Sequence, residues 1–194
     1  MENEDQIRLF DGESLVAYLD ARQRSVSSLV DNISREQFLA TSTDTLRRQV
    51  VDQLSIAPLV LHLDQMQRQQ ADTKISMMVD AKDYGMPVRR QEMVRAYKMS
   101  YIIPFSGEAL LWQLNNGPRL KCLGAIDIER SLLTLTLQNT PDIGSSWYQR
   151  KMEETMNQID RFIWDQTNTL AQFHGKLAEE VERAVVRRRQ QIQA

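Results

Sequence analysis

The chain has 194 residues, 42% of them hydrophobic and 26% charged, which suits one ordinary globular domain and excludes a disordered tail. Lys and Arg total 24 against 26 Asp and Glu, a formal net charge of -2, so nucleic acid, held by neutralising its phosphates, is not an expected partner. The single Cys122 excludes an intramolecular disulfide, and one thiol with two histidines cannot make a four-ligand Cys/His zinc site.

Residues 12 to 56 read as helical. Leu15, Val16, Leu19, Val26, Leu29, Val30 and Ile33 recur at the three-and-four spacing of one helical face. Ser34 followed by Gln37 has the form of a capping box and predicts a new helix start. Thr41 to Asp44 interrupts that helix before Leu46, Val50, Val51 and Leu54 resume the stripe, and Pro58 closes it.

From residue 59 to 139 the period becomes two, which predicts an antiparallel sheet of four or five strands. Leu59, Leu61 and Leu63 alternate in a first strand that fades into polar Gln65 to Gln70. A second covers Lys74 to Val79 and ends in a loop near Asp80 to Pro87, signalled by Asp83, Gly85 and Pro87. Met93, Arg95, Tyr97, Met99, Tyr101, Ile103 and Phe105 then share one face of a long strand that Pro104 is expected to end. Cys122 to Ile128 and Leu132 to Leu137 form a hairpin.

Residues 145 to 194 return to the helical period, through Met152, Met156, Ile159, Ile163, Leu170, Phe173, Leu177, Val181 and Ala184, with a polar slot at Gln166. Thr167, Asn168 and Thr169 are weak helix formers, so a kink or a break into two helices is expected there, and Gly175 weakens the second half further. The run Arg187 to Ala194 carries no terminating Gly or Pro, which suggests a helix that docks on a partner or leads to a downstream domain. The whole reads as one α+β domain. N-terminal helices and a central antiparallel sheet are completed by a long C-terminal helix or helix pair.

Several residues invite chemical readings. His62 and Asp64, two apart on a strand, would share a face and with His174 could make a small metal site; two unrelated polar positions are the simpler reading, since a metal site would need all three to converge with supporting partners. Glu108, Asp127 and Glu129 lie near predicted strand ends, and Asp64 with Asp72-Thr73-Lys74 gives part of the acid-acid-lysine pattern of magnesium-dependent nucleases. Charges that blunt exposed strand edges account for the same residues. Cys122 sits in an apolar stretch as a small hydrophobe. No phosphate-binding glycine loop or nucleophile elbow occurs, and no cofactor is expected. Arg89, Arg90, Arg95 and Lys98 beside Tyr97 and Tyr101 could hold an anionic or stacking ligand, with Arg89, Arg95, Tyr97 and Tyr101 the strongest candidates.

The least generic string is Ile102-Ile103-Pro104-Phe105-Ser106-Gly107-Glu108, followed by Leu111-Trp112 and Pro118, in which Phe105 and Trp112 could plug the sheet end. On this Ile-Pro-Phe-x-Gly turn, residues 59 to 190 resemble the N-terminal regions of uncharacterised bacterial multidomain proteins. The resemblance implies a non-catalytic sensing or assembly module ahead of an effector such as a nuclease or a Toll-like receptor domain, and it carries over no functional residue. The leading expectation is therefore a binding or oligomerisation module whose partner surface is Ile163, Leu170, Phe173, Leu177 and Val181. A metal-dependent hydrolase or nuclease using Asp64, Asp72, Lys74, Asp127 or Glu129 is the alternative. The acidic start, Met1 to Asp5, is unlike a signal peptide, and the longest apolar run, Ile56 to Leu63, is too short to span a bilayer. A cytoplasmic protein with no membrane association is the corresponding expectation.

Overall fold

The computed structural model describes residues 6–83, 86–117 and 122–193. Gly85 and Pro118 lie outside them. The fold is α+β, with N-terminal helices, an antiparallel sheet and a long C-terminal helix. Where the sequence reading expects one domain, contacts group the chain into two compact units, each assembled from three segments.

The first unit comprises residues 1–9, 61–106 and 121–160. Its sheet runs in the order β1 (Ile7–Arg8), β5 (Leu123–Asp127), β6 (Leu132–Asn139), β4 (Met86–Ser106), β2 (Val60–Leu61), with β3 (Gln67–Asp83) also paired to β4. The sheet has six strands, one beyond the upper end of the four or five expected. Polar Gln67 to Gln70, read as the fading of a strand, instead opens the 17-residue β3, while Leu63 to Gln65 is a 3-10 turn. Of the loop expected at 80 to 87, residues 80–83 belong to β3 and 86–87 to β4, and the rest lies outside the described residues. Pro104 does not end β4. Its carbonyl accepts from the His62 amide at 2.9 Å, and the Phe105 amide donates to Ser131 at 2.9 Å, so pairing continues past the one missing N–H. Leu9, Met99, Tyr101, Ile103, Phe105, Leu133 and Leu135 are buried, together with Tyr148, Met152 and Ile159 from the helix that follows.

The second unit comprises residues 10–60, 107–120 and 161–194. It holds α1 (Leu15–Asn32), α2 (Arg35–Ala40) and α3 (Thr43–Leu54). Ser14, Ser34 and Ser42 cap them, each side chain accepting an amide three residues on, as the sequence implies for Ser34 and Gln37. The apolar stripe of α4 (Ser145–Gln193) enters this core through Leu170, Phe173, Leu177, Val181, Ala184 and Val185.

α4 is one unbroken helix of 49 residues, and the expected break at 167 to 169 is absent. Thr167 Oγ1 donates back to the Ile163 carbonyl and Thr169 Oγ1 to that of Asp165, so both hydroxyls are satisfied without leaving the helix. At its far end, Arg35 donates to the Ile192 carbonyl at 3.2 Å, while Arg189 donates to the Thr41 carbonyl and lies over the Phe38 ring. Thus Arg189 of the basic run finds its partners on α2 and the turn after it, and Arg187 donates to Ser27 Oγ on α1 at 3.1 Å. Among the described residues no helix is long and apolar enough to cross a membrane.

Gly107 explains the unusual Ile-Pro-Phe-Ser-Gly string. Its φ is +103°, and a Cβ built there would lie 2.1 Å from the Pro58 carbonyl oxygen. No other residue tolerates both the dihedral and the approach.

Candidate functional site

β3 and β4 pair without interruption from Gln67↔Ile102 to Asp83↔Met86. β6 covers the other edge of β4 only from Tyr97 to Pro104. Beyond the Asp72↔Tyr97 pair, the described sheet therefore narrows to a two-stranded arm about 40 Å long at 3.4 Å per residue. The root is fixed by Tyr148, whose hydroxyl lies 3.2 Å from the Tyr97 carbonyl and 3.3 Å from that of Asn139, where β6 ends. A free two-stranded hairpin is marginal in water. This one carries exposed methionines on both faces, Met77 on one and Met78 (62% exposed) and Met93 (63%) on the other.

Alternation assigns the two faces. Thr73, Ile75, Met77 and Val79 share one with Ala96, Val94, Glu92 and Arg90; Asp72, Lys74, Ser76, Met78 and Asp80 share the other with Tyr97, Arg95, Met93, Gln91 and Arg89. On that second face Arg89 bonds Asp80 at 2.9 Å, Arg95 bonds Asp72 at 3.3 Å, and the Arg95 guanidinium lies 5.8 Å from the Tyr97 ring centroid. Arg90 pairs with Glu92 on the first.

The four candidate ligand residues do share a face, but no pocket gathers them. Arg89 stands six residues, about 20 Å, from Arg95, and each arginine already has a carboxylate. Tyr101 is buried in the sheet, and burial pushes its phenol above the ordinary value, with Arg68 opposing and Tyr148 adding to the rise. Exposed Arg95 and half-buried Tyr97 alone form a neighbouring pair.

The metal and acid readings disperse. His62 precedes a 3-10 turn and Asp64 lies within it, so the shared strand face does not exist. His174 Nε2 accepts the Ile56 amide at 3.3 Å, which occupies its lone pair. Asp72 is held by Arg95, and Asp127 accepts the Arg130 amide at 3.0 Å in the turn between β5 and β6. Glu129 is exposed in that turn, Glu108 precedes the 3-10 turn at Ala109–Trp112, and Lys74 lies on the arm opposite Arg95. Among the described residues no three His, Cys, Asp or Glu side chains gather as a metal site. Burial pushes the Cys122 thiol up to about 11, away from nucleophilic use. One open cleft of about 500 Å³ is lined by Asp20, Gln23, Arg24 and Glu180, and a second of about 360 Å³ lies between Gly12 to Val16 and Asn115 to Gly117.

The expected partner surface also needs correction. Leu170 (1% exposed), Phe173, Leu177 and Val181 are buried among the helices of their own unit, and Ile163 is half-buried, because the stripe packs on α1 to α3 rather than facing outward. On that segment Trp164 (65%) and Val186 are the exposed large apolar side chains. The strands expected at Lys74 to Val79 and Met93 to Phe105 lie within β3 and β4, but their extension into a long two-stranded arm was not expected. Its one available signal was the apolar pair Met77 and Met78 directly before a predicted loop. Comparison of this α+β chain with protein-family models, with curated proteins and with solved structures found no match.

Proposed function

We propose that this chain is a non-catalytic assembly module that binds protein through the β3–β4 arm. The observation that carries the reading is the arm itself: among the described residues it is a ribbon with no third strand, apolar side chains exposed on both faces, and one whole edge of β3 without a neighbour. Exposed methionines suit such contacts, because the flexible thioether conforms to varied surfaces. Assembly is also what the resemblance carried by Ile102 to Gly107 implies, with the contact moved from the C-terminal helix to the sheet. The hydrolase alternative has less support, since Asp72 and Asp127 are each engaged in local structure.

A photo-crosslinking side chain placed at Met78 or Met93, with exposed Gln172 on α4 as the control position, tests the proposal. One discrete, saturable adduct from the arm positions and none from the control is the expected result. Equal labelling from all three, or none, would remove the arm as a binding element.

A further inference from the structure

We propose that the partner on the β3 edge is a second copy of this chain, paired antiparallel about a two-fold axis through Met77. This deepens the assembly reading and rests on it. An edge strand that pairs with itself obeys a parity rule, since the residues whose N–H and C=O point outward alternate along the strand. The axis must then pass through a residue, and residues equidistant from it face one another on the same side of the sheet.

With Met77 at the centre, Lys74 of each copy stands opposite Asp80 of the other, Ile75 opposite Val79, and Met77 opposite itself. Both charge pairs are attractive, and the apolar pairs extend the Ile75, Met77, Val79 and Val94 face into a four-stranded stripe. Moving the axis one residue to Ser76 places Asp72 opposite Asp80 in both copies, which is repulsive. The charge pattern thus selects a register. Within its own hairpin Lys74 faces Arg95, a like charge, and no described carboxylate forms an ion pair with it, whereas Asp80 of a second copy would supply one. Pairing also gives the two-stranded arm the additional strands it needs for independent stability and removes the exposed edge.

The test uses the full chain and light scattering at tens of micromolar. The wild type should be a dimer. K74E sets a carboxylate opposite the native Asp80 across the axis, and D80K sets a second ammonium opposite the native Lys74, so each variant alone should dimerise roughly tenfold or more weakly. Mixed in equal amounts, the two variants should form a heterodimer. In it the introduced glutamate of one meets the introduced lysine of the other, and the native Asp80 meets the native Lys74. K74E also relieves the apposition with Arg95, so its loss of dimer would not reflect loss of the arm. A monomeric wild type, or variants that dimerise as well alone as mixed, would overturn the inference. An arm-specific crosslink to a different protein alongside a monomeric wild type would overturn it too, while leaving the assembly reading standing.

Discussion

Gln166 is the one buried polar side chain among the buried residues of α4, at 1% exposure, and its replacement offers a sharp test of how the second unit is held. Its Nε2 donates to the carbonyls of Leu111 and Leu114, both at 2.9 Å, while its Oε1 has no partner. Gln166→Leu keeps the volume, deletes both donors and leaves two buried carbonyls unsatisfied, at about 1–3 kcal/mol each, while also removing the orphan oxygen at a gain of the same size. Two losses against one gain leave a net cost of about 2 kcal/mol, or about 4–8 °C in Tm for a chain of this length. Gln166→Glu should be worse at neutral pH, by about 3–5 kcal/mol, because an unpaired carboxylate then faces two carbonyl oxygens. Burial would raise that carboxyl in the folded state, so its penalty should be smallest below the unfolded value of about 4.3 and grow as pH rises. Urea denaturation of the three proteins at pH 7 and pH 4 provides the measurement. A Gln166→Leu protein as stable as wild type would refute the claim that this side chain pins the 110–114 segment.

Gly107→Ala should prevent stable folding, since its Cβ meets the Pro58 carbonyl in a left-handed backbone, whereas Gly175→Ala, with open space around its Cβ, should raise stability by about 0.5–1 kcal/mol; thermal denaturation of both decides. Cys122 should resist thiol reagents at pH 8 in the native protein and react fully in denaturant, and prompt native reaction would contradict its burial. Because that thiol is raised from 9.0 to about 11, its contribution to stability should be intact below pH 9 and fall as pH climbs toward 11. Desolvation raises Asp160, so its contribution is greatest below the ordinary carboxylate range and declines as pH rises; Asp160→Asn should raise Tm at pH 7 and leave it unchanged at pH 3.

The helical ends of the chain were legible because helices there bury a face and announce their starts. Leu15, Leu19, Val26 and Val30 lie at core positions, and Ser34 caps where the pattern places it. The interruption between α2 and α3 was legible for the same reason, with Ser42 restarting the helix. The arm was not. Alternation arises from one buried face, and a two-stranded ribbon buries neither; Gln67 to Gln70, at the root of β3, are all exposed and polar and so leave no trace of a strand. The unbroken α4 was hidden by Thr167 to Thr169, where Thr169 is held further by Asn116, which donates to its hydroxyl at 3.0 Å. Helix propensity alone misjudged a segment whose partners come from elsewhere in the chain. Lys74 and Asp80 read in the sequence as ordinary solvating charges, and only the proposed two-fold pairing gives them a shared role.

The chain passes between its two units after Leu9, Val60, Ser106, Leu120 and Asp160. During synthesis this sets a waiting time. Ser27 on α1 bonds Arg187, 160 residues later, and ribosomes add about 5–20 residues per second, so α1 emerges about 8–30 s before that partner exists. β1 likewise waits for β5. The apolar stripe of the first three helices must therefore be shielded on the ribosome or by a chaperone until the last helix arrives, and a ribosome stalled near residue 160 would display that stripe uncovered.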